Sequence, residues 1–245
     1  MAFGGFVAKL DGGRAWADVA AMARGHVELL IVIGGLFIML PSLMSDLFIP
    51  FVPVGKTIAE VVSERLAYTE ANLLPLLLNV IIATFGQATI LALLIDPARP
   101  TVGRSLRIGL ANLFWLLLAN LIVSFAVGAG LTLFIVPGLY LFGRLMPVPA
   151  ILFAERRTRP ADLIRRSFAL TKESAWRNLL FFLVIWMTAT VVVIAVGSVT
   201  GIAASIAGGP VSVFLRSLVS ASLDASFALL LLLAYVAVYR QLAAR

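Results

Sequence analysis

Few side chains in this 245-residue chain can do chemistry. His26 is the single histidine, and there is no cysteine. One imidazole leaves a zinc site or a Ser/His arrangement short of partners, and the neighbours Arg24 and Glu28 give His26 an interfacial character. No phosphate-binding glycine loop, dinucleotide fingerprint or HExxH motif occurs. The expectation is therefore a non-enzymatic protein with no catalytic residue, no metal and no cofactor.

Two charged residues stand out because they lie deep in apolar sequence: Arg144 and Asp224. Arg144 is eleven residues before Glu155, which on a helix is roughly 16 Å. Asp224 is sixteen residues before Arg240. A lone charge in mid-membrane is costly, so such groups pair or line a wet cavity. Arg144 and Asp224 are expected to approach each other. The pair reads either as a tie that holds the fold or as part of a cavity for a headgroup or small anion.

The remaining charge is concentrated. Residues 155–177, ERRTRPADLIRRSFALTKESAWR, hold ten charged residues, seven of them basic, in a chain that is only 13% charged overall. Arg156, Arg157, Arg159, Arg165, Arg166, Lys172 and Arg177, with Trp176, are the expected contacts to lipid headgroups. Each basic residue near an anionic surface contributes about 1 kcal/mol, and Trp prefers the headgroup level. Fixing topology is the simpler role for the same charges.

The elements that position these residues are membrane spans. The chain is 62% hydrophobic with a mean hydropathy of +1.07, while soluble domains carry roughly 25% charged residues. A spanning helix needs about 20 apolar residues. Charge-free runs and breakers place spans near 27–45, 72–95, 108–128, 131–154, 178–205 and 213–239, with turns at VGAG (127–130) and AGGP (207–210). The first span reads as retained, because residues 1–25 lack the compact apolar core of a cleavable signal. The apolar runs are continuous, unlike the alternation of β-barrel strands.

With six spans, one side collects fifteen Lys and Arg and the other only Lys56, Arg65 and Arg216. The positive-inside rule places the basic side, with both termini, in the cytoplasm. A net charge of +7 is then a topology and headgroup signal, and no nucleic-acid partner is expected. On the opposite side, residues 55–72 allow a short helix with Ile58, Val61, Val62 and Leu66 along one face.

The basic segments resemble one another. Arg-Pro pairs at 99 and 159 are followed by Arg-Ser pairs at 104 and 166, and residues 15–30 occupy the corresponding place before the first span. The pattern predicts an all-α polytopic membrane protein of one domain, residues 1–245. Its six transmembrane helices form three hairpins, each preceded by a short cytoplasmic amphipathic helix. Within the spans, Asn79, Gln87, Asn112 and Asn120 are expected to hydrogen-bond between helices, and Gly197 with Gly201 to permit close helix approach.

Residues 137–178 resemble a known group. Pro137, Gly138, Arg144, Pro149, Glu155, Ser167, Leu170 and Trp176 match the pattern of YciC-like proteins and of the membrane domain found on some bacterial glycerophosphoryl diester phosphodiesterases. The resemblance implies a multi-pass protein of the bacterial inner membrane. It carries no phosphodiesterase activity over, because in that family the activity lies in a separate soluble barrel that has no room here. The expected function is contact with anionic lipid, or with a protein partner or second copy, through the basic cytoplasmic face. The alternative is a small transporter or lipid-translocating protein with a polar site around Arg144 and Asp224.

Overall fold

The computed structural model describes residues 10–95, 101–156 and 159–244. Lys9, Arg99, Arg157 and Arg245, which entered the charge count, lie outside them. Every regular element among the described residues is helical: α1 (Gly12–Gly25), α2 (Val27–Phe48), α3 (Ile58–Ala71), α4 (Leu73–Ile95), α5 (Val102–Leu133), α6 (Ile135–Ala154), α7 (Pro160–Leu170), α8 (Ala175–Ala207) and α9 (Gly209–Ala243). Six of these, α2, α4, α5, α6, α8 and α9, are long and apolar enough to cross a membrane. The chain is a multi-pass membrane protein.

Local sequence explains where the helices begin and end. The Asp11 carboxylate caps α1 by accepting from the N–H groups of Gly13 and Arg14, at 2.9 and 3.2 Å. Thr57 and Glu60 form a reciprocal capping box at the start of α3. Helix α2 widens into one π-helical turn over Gly35–Met39. Pro41, just beyond, has no N–H to offer the carbonyl of Phe37, and the wider turn carries the helix past that gap.

The VGAG turn expected at 127–130 does not form. Helix α5 runs through it to Leu133, and the reversal falls on Phe134, an extended residue at φ −156°. Pro137 sets this boundary. In a continuous helix its ring would clash with the carbonyl four residues back, at Leu133. The glycines serve contact instead. A Cβ on Gly130 would stand 2.8 Å from the Cα of Gly138, so the two helices meet backbone to backbone. The second expected break is where the sequence places it: Gly208 at φ 65° and Gly209 at φ 51° separate α8 from α9.

The expected short helix before the third span is also absent. Residues 102–117 contain no proline, and Gly103 and Gly109 are absorbed into the helix, which begins at Val102 as α5 itself. Helices α1 and α7 are separate, the first ended at Gly25–His26 and the second by a turn at 171–174. The most extensive helix contact joins α4 to α5, across the expected division into hairpins.

The core lies toward one end of the bundle. Ile90 and Leu91 of α4, Ile151 and Leu152 of α6, and Val236 and Val238 of α9 are fully buried there. By contrast, α8 buries no side chain between residues 186 and 203. Its exposed Val and Ile residues suit lipid, which gives no hydrophobic drive for helices to close further.

Candidate functional site: the basic end of the bundle

The densely packed end gathers α1, α7, the starts of α5 and α8, and the ends of α4, α6 and α9. Polar contacts tie it together. The N–H of Leu10 donates to Ser174 Oγ (3.3 Å), and that of Asp11 to Gln241 Oε1 (3.2 Å). Arg177 Nη1 donates to the Leu10 carbonyl (3.2 Å) and Arg240 Nη2 to the Leu94 carbonyl (2.7 Å). Leu94 lies in the last turn of α4, where carbonyls lack helical partners.

Arg144 sits at the bend of α6. Pro147 and Pro149 divide this helix into Ile135–Leu145 and Val148–Ala154. Pro147 cannot donate to the Gly143 carbonyl. Asn178 Nδ2 of α8 does so instead, at 3.0 Å. The Arg144 carbonyl accepts from Ser167 Oγ at 2.6 Å and Thr171 Oγ1 at 3.3 Å. A buried carbonyl left without a donor costs about 1–3 kcal/mol, so these bonds hold α7 and the start of α8 against the bend. The Arg144 side chain is 8% exposed and lies over Phe168 (4.6 Å) and Tyr140 (5.7 Å). Its Nε and Nη1 are buried with no hydrogen-bond partner among the described residues.

Asp224 is not its partner. Arg144 turns toward α7, whereas the exposed Asp224 of α9 faces α2, close enough to Asp46 for the two carboxyls to interact. The expected approach of Arg144 to Asp224 does not occur, because the two side chains leave their helices toward different neighbours.

The basic segment divides by role. Arg166 pairs with Glu155 at 2.7 Å. Arg177 reaches Leu10, as described. Arg159, Arg165 and Lys172 are exposed and have no ion pair among the described residues. Trp176 is exposed and meets Tyr140 at 6.0 Å between ring centroids. Arg157 lies outside the described residues. Arg156 has φ 50°, left-handed backbone that glycine adopts freely and other residues rarely.

Arg156 lines a groove of about 490 Å³ whose other cations the sequence reading used only for topology. These are Arg104 and Arg107, on α5, with Asn112 further along and Ala92, Leu152 and Phe153 forming an apolar wall. Arg104 and Arg107 are exposed and make no hydrogen bond or ion pair among the described residues. Their spacing of three puts them on one helix face, which was the available signal.

The neutral polar residues differ from expectation. Asn79 Nδ2 does bond Ser45 Oγ across helices, at 2.8 Å. Asn112 instead bonds the Ile108 carbonyl of its own helix. Gln87 and Asn120, with Ser124 and Tyr235, line a second cavity of about 530 Å³ within the spans. None of these four side chains has a hydrogen-bond partner among the described residues. A Cβ on Gly197 or Gly201 would meet nothing within 4 Å, so these glycines mediate no close contact within the chain. His26 Nδ1 lies 3.1 Å from the Met22 carbonyl and closes the end of α1. No group of three or more His, Cys, Asp or Glu side chains that could hold a metal occurs among the described residues.

No family model, curated protein or solved structure matches the chain.

Proposed function

We propose that this chain is a non-enzymatic inner-membrane protein that engages anionic lipid headgroups with its basic end, which faces the cytoplasm. One observation carries the reading: Arg159, Arg165 and Lys172 are exposed, with no acidic partner among the described residues, at the end that also exposes Trp176. Cations without an ion pair among the described residues, beside an aromatic of headgroup preference, fit a negatively charged surface. On this reading α1 and α7 are interfacial amphipathic helices, and the resemblance of residues 137–178 to the YciC-like group is one of kinship. The residues that carry that resemblance include Arg144 and Ser167, which meet at the bend of α6.

Native mass spectrometry of the detergent-extracted protein tests this. Wild type retains phosphatidylglycerol in preference to phosphatidylcholine. Arg165→Ala/Lys172→Ala weakens that preference by up to about 30-fold, at about 1 kcal/mol per cation. Equal retention of the two lipids by wild type would overturn the reading.

A second reading, a small transporter or lipid-translocating protein, is favoured by the cavity at Gln87, Asn120, Ser124 and Tyr235. Hydrogen-bonding groups without protein partners at membrane depth fit water or a polar solute. Its polar site is this cavity and not the Arg144–Asp224 pair. Movement of fluorescent lipid between leaflets of reconstituted vesicles, slowed by Asn120→Leu, is the expected result.

A further inference from the structure

We infer that the groove between α4, α5 and α6 at the basic end is a discrete site for one phosphate group, held by Arg104, Arg107 and Arg156. The inference deepens the headgroup reading above and rests on it for the lipid as the source of the phosphate.

Three guanidinium groups line a single groove of about 490 Å³. Two of them, Arg104 and Arg107, have no acidic neighbour to neutralise them among the described residues. Guanidinium is the side chain best matched to phosphate, because its planar fork donates two parallel hydrogen bonds to two oxygens. Arg104 also lies in the first turn of α5, where the helix dipole is positive and adds to the attraction for an anion. Asn112 also lines the groove, and Ala92, Leu152 and Phe153 give it an apolar wall. Arginines beside an apolar wall fit an amphiphile better than a fully hydrated ion.

The backbone fixes where the third arginine stands. Arg156 follows the end of α6 with φ 50°, the left-handed position that commonly closes a helix C-terminus and that glycine favours.

The position also gives the test. Arg156→Gly removes the guanidinium at a backbone position that glycine adopts freely. The measurement is phosphatidylglycerol retention by native mass spectrometry of the full chain, with thermal unfolding of the same samples. Arg156→Gly is expected to weaken retention of one lipid about fivefold, and Arg104→Ala/Arg107→Ala about 30-fold. Retention per folded molecule, with thermal unfolding as the control for structural cost, is the deciding readout for Arg156→Gly. Arg104→Lys/Arg107→Lys keeps the charge and recovers only part of the retention, since Lys lacks the fork.

Inorganic phosphate separates the two sources. If it displaces the lipid and protects the protein against unfolding, the site takes free phosphate. If the lipid persists against it, the site takes the headgroup of a phospholipid. Unchanged retention in both groove variants, with loss in Arg165→Ala/Lys172→Ala, would overturn the discrete site and leave the headgroup reading standing. Unchanged retention in all variants would overturn both.

Discussion

Asn178 donates a 3.0 Å hydrogen bond to the carbonyl of Gly143, the group that Pro147, four residues on, leaves without an N–H donor. A side chain from the start of α8 thus repairs a defect built into α6. The repair sits in a low-dielectric region where an unmet carbonyl costs about 1–3 kcal/mol. Asn178→Ala is expected to destabilise by about that amount in thermal unfolding. Pro147→Ala restores the missing N–H, so the double variant recovers part of the loss. Strict additivity in that double-mutant cycle would break the proposed link.

Arg144 and Asp224 should behave as strangers. Arg144 lies over Phe168 at 4.6 Å, and Asp224 neighbours Asp46. Phe168→Leu removes the ring under a buried cation and is expected to cost about 1–2 kcal/mol. Arg144→Met keeps the volume and removes a poorly partnered charge, so it is expected to be nearly neutral or stabilising. Combined with Asp224→Asn, its effect adds within about 0.5 kcal/mol. A coupling well above that value would restore the ion pair.

Gly128 of α5 and Gly138 of α6 separate a helix from a turn. A Cβ on Gly128 meets nothing within 4 Å, whereas one on Gly138 would lie 2.5 Å from the backbone N of Leu131. Because α5 is helical at Gly128, Gly128→Ala is expected to be neutral or to stabilise by up to about 1 kcal/mol. Gly138→Ala forces α5 and α6 apart and is expected to cost more than about 2 kcal/mol. A destabilising Gly128→Ala would mean that the chain reverses there after all.

These cases show what was legible in the sequence. The six spans were, since length and continuous apolar character dictate them before any packing occurs. The break at Gly208 was, because two adjacent glycines and Pro210 act locally. The reversal at Phe134 was misplaced by reading Gly128 and Gly130 as flexible, when Pro137 acts backward by one turn and Gly130 serves an interhelical contact. The direction in which Arg144 leaves its helix depends on the bend at Pro147 and on what α7 offers there. Depth along a helix does not encode that. The groove at Arg104 and Arg107 was hidden for the same reason. Its third member, Arg156, is 49 residues from Arg107 and joins the other two only once α5 and α6 pack.

Helix α3 should respond to acid through its first turn. The Glu60 carboxylate accepts hydrogen bonds from the N–H groups of Thr57 (3.0 Å) and Lys56 (2.7 Å). These, the Thr57 bond first, hold its pKa below the ordinary carboxylate value. The folded pKa is therefore the lower of the two states. Its contribution is complete above the unfolded value of about 4.3 and is lost as pH falls through the folded value. The expected outcome is fraying of residues 56–61 as pH falls below the ordinary carboxylate range, with the spans intact. Backbone NMR of the protein in micelles would report it as loss of the downfield Thr57 and Lys56 amide shifts. In Glu60→Gln those amides should no longer titrate in this range, because the neutral amide side chain still accepts but has no proton to gain. Fraying that persists unchanged in Glu60→Gln would assign the acid response to another carboxylate.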